Sequence, residues 1–83
     1  MIEAYVLVRV QPARLDEASN IMGKIKDEIR KIKGVMEVHG VFGRYDFVAR
    51  IEADTSSQLG NLVTETIRNL EGVAETETLV VGF

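Results

Sequence analysis

A chain of 83 residues makes one small domain, 1–83, with no room for a second core. It has no cysteine and a single histidine, His39, which excludes disulfides, thiolate metal sites and a histidine-built metal centre; no cofactor is expected. The formal charge of -3 argues against electrostatic binding to phosphate backbones, so no direct nucleic-acid contact is expected.

The start, MIEAYVLVRV, lacks the basic end, long apolar core and small-residue cleavage site of a signal peptide. No apolar run approaches the roughly 20 residues that cross a bilayer. A cytoplasmic protein with no membrane contact is the expectation.

Residues 3–10, EAYVLVRV, alternate and are rich in β-branched side chains, which predicts a first strand. Gln11-Pro12 breaks it, and proline suits the first turn of a helix. Leu15, Ala18, Met22, Ile25, Ile29 and Ile32 then recur at spacings of three and four, so a helix over 13–32 carries one apolar stripe. Arg14, Glu17, Lys24, Asp27, Glu28 and Lys31 take its other side, with Lys24–Glu28 and Asp27–Lys31 as i,i+4 pairs. The interrupted charges of KIKDEIRKIK read as a solvated face. Gly34 stands where a helix end favours a left-handed residue.

Strands are expected over 35–42 and 45–52. Thr55 with Gln58 three later is a capping box, opening a second helix whose stripe is Leu59, Leu62, Val63, Thr66, Ile67 and Leu70. Gly72 closes it as Gly34 closes the first, and a last strand covers 73–83. Met22 and Met36 fall at core spacing and read as packing.

The β-α-β-β-α-β order, with right-handed crossovers, predicts a ferredoxin-like α+β fold: a four-stranded antiparallel sheet with both helices on one face. The first and third strands belong in the centre. Glu37, His39, Glu75 and Glu77 fall on the edges, where charge discourages unwanted pairing. The first strand offers Ala4, Val6, Val8 and Val10 on one face but also Tyr5 and Leu7 on the other; the third adds Phe47, Ala49 and Ile51 against Val48. Helices cover only one face of such a sheet, and each large apolar side chain left in water forgoes roughly 1.5–3 kcal/mol. A second copy is therefore expected against the open face, making a homodimer built sheet to sheet, a dimeric α+β barrel.

Two motifs carry the candidate chemistry. Gly43-Arg44 between Phe42 and Tyr45 fits a two-residue type II′ hairpin loop, in which Gly43 serves the backbone, Tyr45 packs and Asp46 makes a local hydrogen bond. The same turn also reads as a clamp: amides around Gly43 and Arg44 for a carboxylate, and Asp46 for an ammonium, which together suit the head group of a free amino acid. Thr76 and Thr78, two apart on the last strand, place two hydroxyls on one face, as ligand contacts or as ordinary strand residues. No nucleophile motif, phosphate loop or paired carboxylates suggest catalysis, so no catalytic or metal residue is assigned.

The stretches VHGVFGRYDFVARI and GVAETETLVV resemble the effector (RAM) domain of the leucine-responsive regulatory protein/AsnC family. Gly43, Tyr45 and Asp46 match its Gly-x-Tyr-Asp turn, and Gly72, Val73, Thr76 and Thr78 its Gly-Val and Thr-x-Thr segment. The resemblance covers essentially the whole chain. It implies pairing through the sheets, assembly of dimers into rings such as octamers, and amino-acid effectors bound between dimers near the turn. Taken with the clamp reading, which contributes Arg44, it makes Gly43, Arg44, Tyr45, Asp46, Thr76 and Thr78 the expected ligand-binding residues. Phe42 stands where the family often has a small hydroxyl residue, which implies a narrower pocket or a different ligand. The usual member carries an N-terminal helix-turn-helix domain. Here the first strand begins at the first methionine, so the expectation is a stand-alone module that works through a partner such as a full-length regulator. Against it stand a small barrel enzyme of monooxygenase or isomerase type, which would keep a polar base in a cavity between sheet and helices, an ACT-like regulatory module, and a purely structural oligomer.

Overall fold

The computed structural model describes residues 1–11 and 18–83, with side chains resumed at residue 20. The expected helix start at 13, the Pro12 first turn, and Arg14, Leu15, Glu17 and the Ala18 side chain lie outside the described residues. Four strands, β1 (Ile2–Val10), β2 (Val35–Gly40), β3 (Phe47–Ala53) and β4 (Val73–Val80), form one antiparallel sheet in the order β2-β3-β1-β4. Helices α1 (Ala18–Arg30) and α2 (Ser56–Asn61) complete the ferredoxin-like α+β topology. As expected, the β-branched strands β1 and β3 are central and the charged ones lie at the edges. The sheet is open, not closed into a barrel.

Strict alternation on the central strands makes the core. Ala4, Val6, Val8 and Val10 of β1 and Phe47, Ala49, Ile51 and Ala53 of β3 all face the helices and are buried. From α1 come Ile25 and Ile29, and from the second helix Leu59, Val63 and Ile67. Among the described residues no polar or charged side chain is buried.

The capping box forms with one change. Gln58 N donates to Thr55 Oγ1 at 3.1 Å, but Gln58 Oε1 accepts from Asp54 N at 3.0 Å, one residue before the cap. At Leu62 the helix widens into a π-helical segment, Leu62–Ile67. This corrects the expected stripe: Leu59, Val63 and Ile67 are buried at a spacing of four, Leu62 is half-buried, and Thr66 turns outward. A change of helical pitch breaks the 3.6-residue period on which the expectation rested. The turn that follows this segment closes at Gly72, whose φ of +96° disfavours any side chain, and whose Cβ position would lie 2.7 Å from Ile21 Cδ1.

Three further expectations need correcting. The strands flanking the 42–46 turn stop at Gly40 and restart at Phe47, so the connection is longer than a two-residue hairpin. Met36 is 48% exposed, because a bulge between Val35 and Glu37 displaces it from the alternation. Asp27 pairs with Arg30 at 2.9 Å, three residues on, among the described residues.

The open face is more charged than Tyr5, Leu7 and Val48 suggested. Arg50 Nε donates to Glu37 Oε1 at 3.0 Å, while its NH1 group reaches Glu3 Oε2 at 3.1 Å and Glu52 Oε2 at 3.0 Å. The Arg50 hydrogen bond, then that of His39, holds the Glu37 carboxyl below its ordinary 4.5. Glu37, Glu3 and Glu52 in turn keep the guanidinium charged, outweighing its partial desolvation.

Candidate functional site

Asp46 is the best-anchored residue of the turn. Its N–H donates to Val8 O at 2.8 Å, its C=O accepts from Val41 N at 2.9 Å, and Oδ2 accepts from Val10 N at 2.7 Å. Beyond the last β1–β3 pair, Val8 with Phe47, the carboxylate thus replaces the missing strand partner of Val10. An ionised carboxylate has about four acceptor positions, so one such bond leaves capacity for an incoming donor.

Gly43 adopts a φ of +140°, which only glycine takes readily, and beyond its two chain neighbours no atom lies within 4 Å of its Cβ position. The turn is therefore open to solvent on that side. Phe42 and Arg44 flank it, both exposed.

Tyr45 is tied down from across the sheet. Its hydroxyl donates to Glu77 Oε2 at 3.0 Å, and this bond, followed by partial burial and the charges of Glu77 and Glu75, raises the Tyr45 pKa above the ordinary 10. Because the folded pKa is raised, the bond contributes stability that is present below pH 10 and lost as pH climbs through the shifted value. Absorbance titration of the tyrosinate band should show the Tyr45 step move to lower pH in Glu77→Gln; an unmoved step would mean that Glu77 does not hold the hydroxyl.

Thr76 and Thr78 do share a face, as their spacing required. They pair with Val8 and Val6, so they lie half-buried on the helix side of edge strand β4. Val8 is bonded laterally to both Phe47 and Thr76. The turn and the threonines thus occupy one end of the sheet, two strands or about 10 Å apart. The Tyr45 hydroxyl and Glu77 are on the opposite face from Thr76 and Thr78. Within one chain the six candidate residues share a sheet end and do not line a common pocket.

Sequence reading missed Glu77 and the neighbouring Arg9–Glu75 ion pair at 3.5 Å. Alternation carries the signal: Glu77, between two threonines, must point to the other face. It also missed a groove of about 820 Å³ at the far end of the sheet, between the end of α1, the start of β2, the end of β3 and the second helix. None of the six candidate residues lines it. No helix among the described residues is long and apolar enough to cross a membrane.

The chain matches the model of the Lrp/AsnC ligand binding domain over residues 3–82. An uncharacterized HTH-type transcriptional regulator of Pyrococcus furiosus is 34% identical over 77 residues, which are 93% of this chain and 49% of the relative. The leucine-responsive regulatory protein of Escherichia coli K12 is 28% identical over 80 residues, 96% of this chain and 49% of its own length. The chain thus spans about half the length of the curated relatives it matches. The crystal structure of TTHA0845 from Thermus thermophilus superposes with a TM-score of 0.86 at 35% identity, covering 100% of this chain and 95% of that one. With its strand order, its Gly-x-Tyr-Asp turn and its Thr-x-Thr edge strand all embedded in that match, the chain belongs to the Lrp/AsnC ligand-binding domain family.

Proposed function

We propose that the chain is an amino-acid-binding regulatory module of the cytoplasm, not an enzyme, whose effector seat is the turn at residues 42–46. The observation that carries this reading is a carboxylate fixed by its own backbone and side chain, Asp46, beside a glycine turn with open space around it. Asp46 takes the ligand ammonium, and the amides around Gly43 and Arg44 take its carboxylate. Tyr45 orients the turn through Glu77. Thr76 and Thr78 add hydroxyls from a neighbouring copy, since within one chain they lie apart from the turn.

Copies pair through the open sheet face, where Tyr5 and Leu79 remain 40% and 50% exposed, and dimers assemble further into a ring such as an octamer. A site shared between copies exists only when they meet, so an effector shifts assembly by mass action. Full-length regulators of the family, with their helix-turn-helix domains, are the partners through which effector binding reaches transcription or amino-acid metabolism. The ligand class accords with the relative that bears leucine in its name. An interior without a buried polar side chain, among the described residues, favours this reading over a barrel enzyme with an internal base.

Size exclusion with light scattering tests it, on the protein alone and with each common amino acid at millimolar concentration. A mass above the dimer that appears or changes with one amino acid identifies the effector. A dimer indifferent to all of them removes the reading.

A further inference from the structure

Strand register decides which side chains share the open face of the sheet. At its centre Leu7 pairs with Val48 and Tyr5 with Leu79, so four apolar side chains adjoin. The same alternation sets Glu3, Glu37, Glu52, Glu75 and Glu77 around them, with Arg9 and Arg50 as the cations. Within the chain these charges are only partly answered. Arg50 alone meets Glu3, Glu37 and Glu52, and Arg9 meets Glu75. With His39 neutral, five carboxylates against two guanidiniums leave this one face at -3, the formal charge of the entire chain.

An apolar centre inside a charged frame is the anatomy of a protein interface, and a sheet face fits another sheet face. Stacked sheets lie about 10 Å apart. The screening length is also about 10 Å at 0.1 M salt, so charges on two stacked faces feel each other at low salt. Two copies face to face therefore oppose like charge to like charge, and the glutamates lose water as they meet.

We propose that the acidic frame keeps self-pairing weak and that the face prefers, over a second copy, a sheet face of the same kind framed by lysine and arginine. The apolar centre calls for a protein surface of matching shape, and the frame fixes the sign of its charge. Like charges brought together reject the wrong partner, while opposite charges speed and orient the right one. This rests on the sheet-to-sheet pairing proposed above and narrows it: the regulators that can pair with this chain are those whose open face is basic.

Salt tests the idea, because it should act with opposite sign on the two kinds of pair. Sedimentation without any amino acid should show the parent's own dimer tighten about tenfold or more between about 20 and 500 mM salt. The basic probe is the variant Glu3→Lys, Glu52→Lys, Glu75→Lys, whose three sites are all partly exposed. Titrated against a trace of fluorophore-labelled parent at low salt, it should pair about tenfold or more tighter than the parent does with itself, and salt should weaken that mixed pair. The variant Glu3→Gln, Glu52→Gln, Glu75→Gln, whose face is neutral, should pair with itself more tightly than the parent at low salt and respond little to salt. It separates screening from a general salt effect on apolar contact, and it decides the matter if the lysine variant does not fold. A parent dimer that salt weakens or leaves unchanged, a neutral variant that pairs like the parent, or a folded lysine variant that pairs with the parent no better than the parent does with itself overturns the proposal. Every measurement is made without effector, so failure here leaves the amino-acid reading of the turn to its own test.

Discussion

Asp46→Ala is expected to abolish amino-acid binding and to lower the stability of the fold by about 1–3 kcal/mol, without preventing folding. The stability part follows from Val10. Its N–H donates 2.7 Å to Asp46 Oδ2, and Val10 is 8% exposed, so truncation leaves a poorly hydrated donor unpaired. Both main-chain bonds of Asp46, to Val8 O and from Val41 N, survive the change, which is why the strand end should hold. The binding part follows from charge. An ammonium seated at the turn needs an anion, and none of its other residues, Phe42, Gly43, Arg44 and Tyr45, supplies one.

Asp46→Asn separates the two roles. Its side-chain oxygen can still accept from Val10, so urea denaturation should show little loss, while calorimetry with the amino acid found by light scattering should show much weaker binding. If Asp46→Asn binds as well as the parent, the residue serves the strand end alone and the turn is only a turn.

That dual role bears on what could be read from sequence. Alternation in EAYVLVRV and YDFVARIE, together with the crossover rule, was enough for the sheet order, because a one-residue slip would expose the whole valine and isoleucine face. The helix ends were legible at Gly34 and Gly72 because left-handed closure restricts the residue type. Tertiary geometry governed the rest. Phe42 continues the apolar pattern of a strand, yet strand pairing stops at Gly40 and the ring is left outside. Met36 kept core spacing on paper, but a bulge moved it, and bulges depend on the partner strand. The π segment that turned Thr66 outward leaves no mark in a 3.6-residue pattern. Of the candidate site, the residue types and the shared face of Thr76 and Thr78 were legible; the partners were not. Val10 lies 36 positions from Asp46 and Glu77 lies 32 from Tyr45, so both contacts exist only once the sheet has formed.

Ile51→Ala should have the largest effect on stability, about 2–5 kcal/mol, through lost burial and the cavity left behind. Ile51 has no exposed surface and sits mid-sheet on β3, paired with Ala4 on one side and Val35 on the other. It belongs to the cluster that includes Ile25, Ile29 and Ile67, so neither neighbour strand nor helix can close the gap alone. At roughly 0.05–0.15 kcal/mol per residue, a domain of 83 residues has only about 4–12 kcal/mol in all, and this single truncation threatens the fold. Chemical denaturation at two protein concentrations is the measurement, because assembly adds stability by mass action and should partly rescue the variant at the higher one. A loss below about 1 kcal/mol would mean that the site collapses around the smaller side chain. Ile51 touches neither the turn nor the open face. Any change in effector binding by this variant should therefore scale with its folded fraction, whereas Asp46→Asn should weaken binding with the folded fraction unchanged. Comparing the two tells a residue that supports the domain from one that meets the ligand.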